Sequence, residues 1–150
     1  DLDWTDQVTN VFLIREPERV AASFAAKRGL PDAAELGFSR QWQMYRHMAK
    51  RGPAPVVIDS ADIRRDPARA LRALCDAIDV AWTDRMLAWP AGSRPEDGVW
   101  GKVWYDAVNA STGFAGAEGP LPRLEGELAS LAAALRPDYE AIAAHRLRLD

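Results

Sequence analysis

At 150 residues, with 48% hydrophobic and 27% charged residues, the chain is long enough to bury a core and too apolar to be disordered. A net charge of −3 argues against a nucleic-acid partner, which demands a basic face. No apolar run approaches membrane-spanning length, the acidic opening Asp1-Leu2-Asp3-Trp4 does not fit a signal peptide, and a single Cys75 allows no internal disulfide, all in keeping with a reducing cytoplasm.

The first predicted element is Val11-Phe12-Leu13-Ile14, four consecutive apolar residues that fit a strand covered on both faces. Arg15 follows at its carboxyl end, where open α/β sheets bind ligands. Pro17 fits a first helical position, where its missing N–H costs nothing, and predicts a helix over 17–27. Val20 and Phe24 share one face of that helix. Arg19 and Ser23, also four apart, share a second and lie within reach of anything Arg15 holds. A guanidinium, a hydroxyl and free backbone N–H groups would then converge on one oxyanion. Alternatively Arg15 pairs with a structural carboxylate, Arg19 is solvated and Ser23 is a small packing residue.

Residues 29–32 read as a turn. Phe38, Gln41, Trp42, Tyr45 and Met48 then give a 3.6-period face on a helix ending near Arg51-Gly52, with Pro53 and Pro55 beyond it. Val56-Val57-Ile58 is a second short buried strand. Asp59 at its end either approaches the ligand edge used by Arg15 or caps the turn through its own backbone. Asp66-Pro67 is an N-cap and first-position pair opening a helix to about residue 80, and Arg64 and Arg65 just before it read as solvated. Cys75 falls on that helix's stripe of Leu71, Leu74, Cys75 and Ile78, as a core residue.

From 89 to 122 the composition turns to Gly, Pro, Ser, Trp and Tyr, with one short helix expected near 103–109. A loop region of this length in a compact domain is a lid or binding loop, which gives Arg94, Trp100, Lys102, Trp104 and Tyr105 functional weight; the alternative is that the tryptophans pack the loop onto the core. Ser111-Thr112-Gly113 reads as a turn or cap, with anion binding as the second option. Residues 124–135 and 138–149 read as two helices broken at Pro137, whose apolar stripes serve packing against the sheet, each other, or a second copy in a homodimer. His47 and His145 have no His or Cys at ligand spacing, so no metal site is expected.

Arg15, Pro17 and Ser23 together resemble the sulfotransferases that use 3′-phosphoadenosine 5′-phosphosulfate (PAPS). In that family a strand ends in Arg, a Pro follows two residues later, and a Ser eight residues after the Arg helps hold the cofactor's 3′-phosphate. Glu16 stands where the family more often has Asp or Asn. Val56-Val57-Ile58-Asp59, Asp62-Ile63 and Asp66-Pro67 resemble the family's strand, acidic-Leu turn and Asp-Pro helix start. Arg94, Gly98, Trp100 and Lys102 resemble, with a different spacing, its C-terminal Arg-Gly-Trp-Lys loop.

The resemblance implies an α/β, three-layer P-loop NTPase-like sulfotransferase fold, present in part, with a short parallel sheet and a mostly helical remainder. It implies PAPS, or its product adenosine 3′,5′-bisphosphate, as cofactor and a small-molecule acceptor hydroxyl or amine. Arg15, Ser23 and Arg19 would bind the cofactor, joined by Arg94. The family's Gly/Ser/Thr-rich 5′-phosphosulfate loop and its early catalytic base have no counterpart in this sequence, and no G-x-x-x-x-G-K-[ST] run occurs. The expectation is a single domain, the C-terminal part of a sulfotransferase-like domain, with no catalytic residue assigned. A kinase-like phosphate-handling transferase and a non-catalytic interaction module that keeps the fold are the alternatives.

Overall fold

The computed structural model describes residues 2–99, 101 and 105–149. Two parallel strands, β1 (Val11–Ile14) and β2 (Val56–Asp59), pair in the register Val11↔Val56 to Ile14↔Asp59. Between them run α1 (Pro17–Arg28), a one-turn α2 (Ala33–Leu36) and α3 (Phe38–Ala49), the long connection that a parallel pair requires. The short helix α4 (Ser60–Arg65) and then α5 (Pro67–Ala77) follow β2, and an 18-residue last helix, Gly126–Ala143, closes the fold.

Local chemistry accounts for most boundaries. Pro17 sits in the first turn of α1, and Gly29, at φ 82°, ends it. Asp32 and Glu35 form a reciprocal capping box that stabilises α2. Gly37, at φ 72°, turns the chain from α2 into α3. Asp66 accepts from the Arg69 N–H and Pro67 follows it, as the sequence predicts, although α5 stops at Ala77 rather than near residue 80.

The core lies on one side of the strand pair. Phe12, Ile14 and Val57 pack there with Phe38, Tyr45 and Met48 of α3 and with Leu135, Tyr139 and Ile142 of the last helix. Phe12 meets Tyr45 edge to face at 5.7 Å. The expectation that β1 is covered on both faces is therefore corrected. Val11 and Leu13 are 40% and 57% exposed, because α4 and α5 pack against β2 and leave the opposite side of β1 open.

Two further corrections concern the C-terminal half. Pro137 does not break the chain into two helices. It lies inside one continuous helix whose buried residues fall on both sides of it, so packing against α1 and α3 outweighs the lost backbone hydrogen bond. Beyond Ala143 the chain is not helical; Leu147 donates its N–H to the Val57 carbonyl at 2.8 Å, and Arg146 bridges to Val57 along the outer edge of β2. The helix expected near 103–109 is present as Asp106–Asn109, and Trp100, Lys102 and Trp104 lie outside the described residues. Among the described residues no helix is long and apolar enough to cross a membrane.

Candidate anion site

At the carboxyl end of β1, strand and helix deliver two guanidiniums to one point. Arg15 leaves the strand, Arg19 projects from the first full turn of α1, and both ion-pair with the Glu118 carboxylate, Arg19 at 3.0 Å. A third cation, Arg64 of α4, donates to the same carboxylate at 2.8 Å. The Glu118 side chain is only 4% exposed, though the segment around it lies on the surface. Burial alone would push its carboxyl up. The Arg15 hydrogen bond and the charges of Arg15, Arg19 and Arg64 outweigh that and hold it below the usual carboxylate range. The same cations also grip the backbone, since Arg19 donates to the Gly119 carbonyl and Arg64 donates twice to that of Gly116, at 3.1 and 2.8 Å.

The guanidiniums offer more than Glu118 uses. Three positive charges face Glu118 and, more loosely, Glu16 at 3.7 Å from Arg19. Arg15 Nε and Ser60 Oγ are buried without a hydrogen-bond partner, as is Glu118 Oε2, which is held only by its ion pair with Arg19 at 3.0 Å. Arg15, Ser60 and Arg64 also line a cavity of about 470 Å³ whose other walls include Leu13, Leu36 and Phe38. Surplus positive charge and unused donors beside an apolar-walled cavity fit an anionic ligand that carries an organic group.

The sequence-predicted residues are thus only partly brought together. Arg15 and Arg19 share one site. Ser23 lies on α1 one turn beyond Arg19 and is exposed, outside the contacts of the cluster. Arg94 lines a separate cavity with Arg85, Trp89 and Asp97, and its N–H bonds to Asp97 at 2.9 Å. Asp59 is committed elsewhere: it accepts from the Ala61 N–H at 2.8 Å and the Tyr139 hydroxyl at 2.7 Å, which settles its two readings in favour of the cap. Ser111 donates to Val108 and accepts from the Trp89 indole, a structural turn.

Arg64 and Glu118 were not legible as site residues. Arg65 is exposed, as both arginines were expected to be, but the turn of α4 aims Arg64 inward. Glu118 lies 103 positions from Arg15 in a Gly/Pro-rich segment, and no local pattern marks it. Among the described residues no group of three His, Cys, Asp or Glu gathers as a metal site.

A parallel strand pair joined through helices, with guanidiniums converging on the Glu118 carboxylate at its carboxyl end, defines an α/β protein. The chain belongs to the sulfotransferase domain family, which it matches over residues 1–146. It is also similar to two Arabidopsis thaliana proteins, branched-chain-amino-acid aminotransferase-like protein 1 (42% identical over 102 residues) and protein 2 (38% over 102 residues). Each match covers 68% of this chain but only 18% of the relative, so the chain corresponds to a small part of those proteins. No solved structure matches it.

Proposed function

We propose that this chain supplies the 3′-phosphate half of a PAPS site in a sulfotransferase that moves a sulfuryl group to an acceptor hydroxyl or amine of a small molecule. The observation that carries this reading is the convergence of Arg15 and Arg19 at the carboxyl end of β1, in a chain of the sulfotransferase domain family. PAPS, when bound, supplies the activated sulfuryl group. Arg15 and Arg19 bind and orient the phosphate on the far side of the nucleotide, and their fixed positive charge anchors it for in-line transfer. Ser23 would add a hydroxyl from the next turn of α1, and Arg94 would join through its loop. The finer fold assignment, part of a three-layer P-loop NTPase-like sulfotransferase domain, belongs to the same proposal; the parallel pair joined through helices supports it.

Calorimetry of the chain with adenosine 3′,5′-bisphosphate tests this. Arg15→Ala and Arg19→Ala should each weaken binding by about 1.5–3 kcal/mol, the worth of a charge-assisted hydrogen bond. Adenosine 5′-phosphate, which lacks the 3′-phosphate, should bind weakly and respond to neither change. Equal affinity of wild type and Arg15→Ala for the bisphosphate would remove the assignment.

A further inference from the structure

We propose that Glu118 is an internal stand-in for the ligand's phosphate, so that residues 114–122 form a latch which an incoming phosphate must displace, and that Arg64 then becomes a third cationic contact to that phosphate. The inference rests on the anion-site reading above and adds the occupant it competes with.

The geometry around Glu118 is that of a bound ligand. Its neighbours Gly116, Ala117, Gly119 and Pro120 are exposed, and Glu118 alone reaches inward, to 4% side-chain exposure. It does not enter the apolar core; three arginines from three different elements meet it at the carboxyl end of β1. Two of them also hold flanking carbonyls, so the segment is fastened through the same groups that would receive a phosphate. A carboxylate carries one negative charge and two acceptor oxygens. A phosphate carries up to two charges and three oxygens, and so makes fuller use of three forked guanidiniums.

Gly116, Gly119, Pro120 and Pro122 give the segment little side-chain packing of its own, and none of its residues lies in regular secondary structure. Phe114 packs edge to face on Trp89 at 5.2 Å and anchors the start of the segment, so release of the stretch beyond it exposes little apolar surface, and the main cost is the loss of the Glu118 contacts themselves. Competition follows from mass action: the latch lowers apparent affinity by the fraction of molecules in which the arginines are engaged, and by linkage the ligand loosens the latch to the same extent. In this arrangement Glu118 excludes weakly bound singly charged anions and yields to a phosphate ester.

Hydrogen exchange and calorimetry on the full chain test the latch, with adenosine 3′,5′-bisphosphate and inorganic pyrophosphate as probes. Glu118→Gln keeps the shape and removes the charge, and should bind the bisphosphate roughly tenfold more tightly than wild type, about the worth of one charge-assisted hydrogen bond. In wild type, saturation with that probe should speed amide exchange across 114–122. Arg64→Ala should weaken binding in the Glu118→Gln background, where no latch remains to be released. Unchanged or weaker binding by Glu118→Gln, or unchanged exchange across 114–122 with ligand bound, would overturn the latch while leaving the nucleotide reading standing. If the bisphosphate binds neither protein, the nucleotide reading fails and pyrophosphate decides the latch separately. Tighter pyrophosphate binding by Glu118→Gln sustains it, and equal or absent binding ends it.

Discussion

In the interior the Tyr139 hydroxyl donates to the Asp59 carboxylate at 2.7 Å, and this contact ties the end of β2 to the last helix. Burial, then the hydrogen bond to Asp59 and its negative charge, push the Tyr139 phenol well above its usual range. The native state therefore stays protonated at a pH where the unfolded chain, with tyrosines titrating near about 10, has begun to ionise. A raised native value means that the contribution is whole below pH ~10 and is lost as pH climbs toward the native value. Tyr139→Phe should cost about 1–3 kcal/mol at pH 7, because it leaves a buried Asp59 oxygen without its donor. Urea unfolding at pH 7 and pH 10.5 should also show a shallower alkaline loss in the variant. Some slope would persist from Tyr45, whose phenol burial pushes up as well. An identical pH slope in the two proteins would mean that Tyr139 ionises as freely in the fold as out of it. Glu118 runs in the opposite sense. Its carboxyl is held low by the arginines, so its contribution is present above about pH 4.3 and fades as acid takes the pH through the native value. Arg15 was legible in the sequence because strand, arginine and proline fall within one short stretch, Val11 to Pro17. Tyr139 as the partner of Asp59 was not, since 80 positions separate them and nothing local couples the two.

Among the elements, the last helix departs furthest from its sequence signals. Pro137 lacks the N–H that would bond the carbonyl one turn earlier, and its ring crowds that carbonyl, which is why the sequence reads as two helices. The helix persists because Ala132 and Leu135 before the proline, and Tyr139, Ile142 and Ala143 after it, are all buried and must stay in phase. Arg136 adds a tie to Glu18 of α1 directly beside the proline, through Nε at 3.2 Å and through Nη2. Propensity is a local preference of a few kcal/mol at most, and the tertiary contacts of one 18-residue helix exceed it. If the ring is tolerated rather than used, Pro137→Ala should stabilise the protein by about 2 kcal/mol, the interior penalty less the entropy that proline removes from the unfolded chain. A thermal or urea unfolding comparison decides it. Lower stability in the alanine variant would show that the proline is fitted to its place. The short α2 and α4 illustrate the opposite difficulty. Each is a single turn or little more, set by a capping aspartate, and carries too few residues for an apolar period to register.

For the molecule as a whole, the sequence discloses the order of strands and long helices but not which surfaces they cover. Val11-Phe12-Leu13-Ile14 is uniformly apolar, so composition predicts burial on both faces, whereas the fold buries only alternate residues. Which side is covered depends on where α3 and the last helix land: Phe12 meets Tyr45 of α3 only across the long connection between the strands, and it shares the core with Ile142 from the far end of the chain. The same dependence hid half of the anion site, since Arg64 and Glu118 reach it only after both the second strand and the late loop are in place. One pair of adjacent residues tests the one-sided core directly. Ile14 is 1% exposed, so Ile14→Ala should cost about 2–5 kcal/mol through lost transfer energy and a cavity that the packed helices cannot close. Leu13, its neighbour at 57%, contributes its carbonyl to Gln41 at 3.0 Å but little side-chain burial. Leu13→Thr supplies a β-branched side chain suited to a strand and keeps the backbone contact, and should stay within about 0.5 kcal/mol of wild type in urea unfolding. Comparable losses at the two positions would mean that the Val11 and Leu13 face is covered in solution. A concentration-dependent midpoint for Leu13→Thr would then identify the cover as a second copy of the chain, and a concentration-independent one would place it within the same molecule.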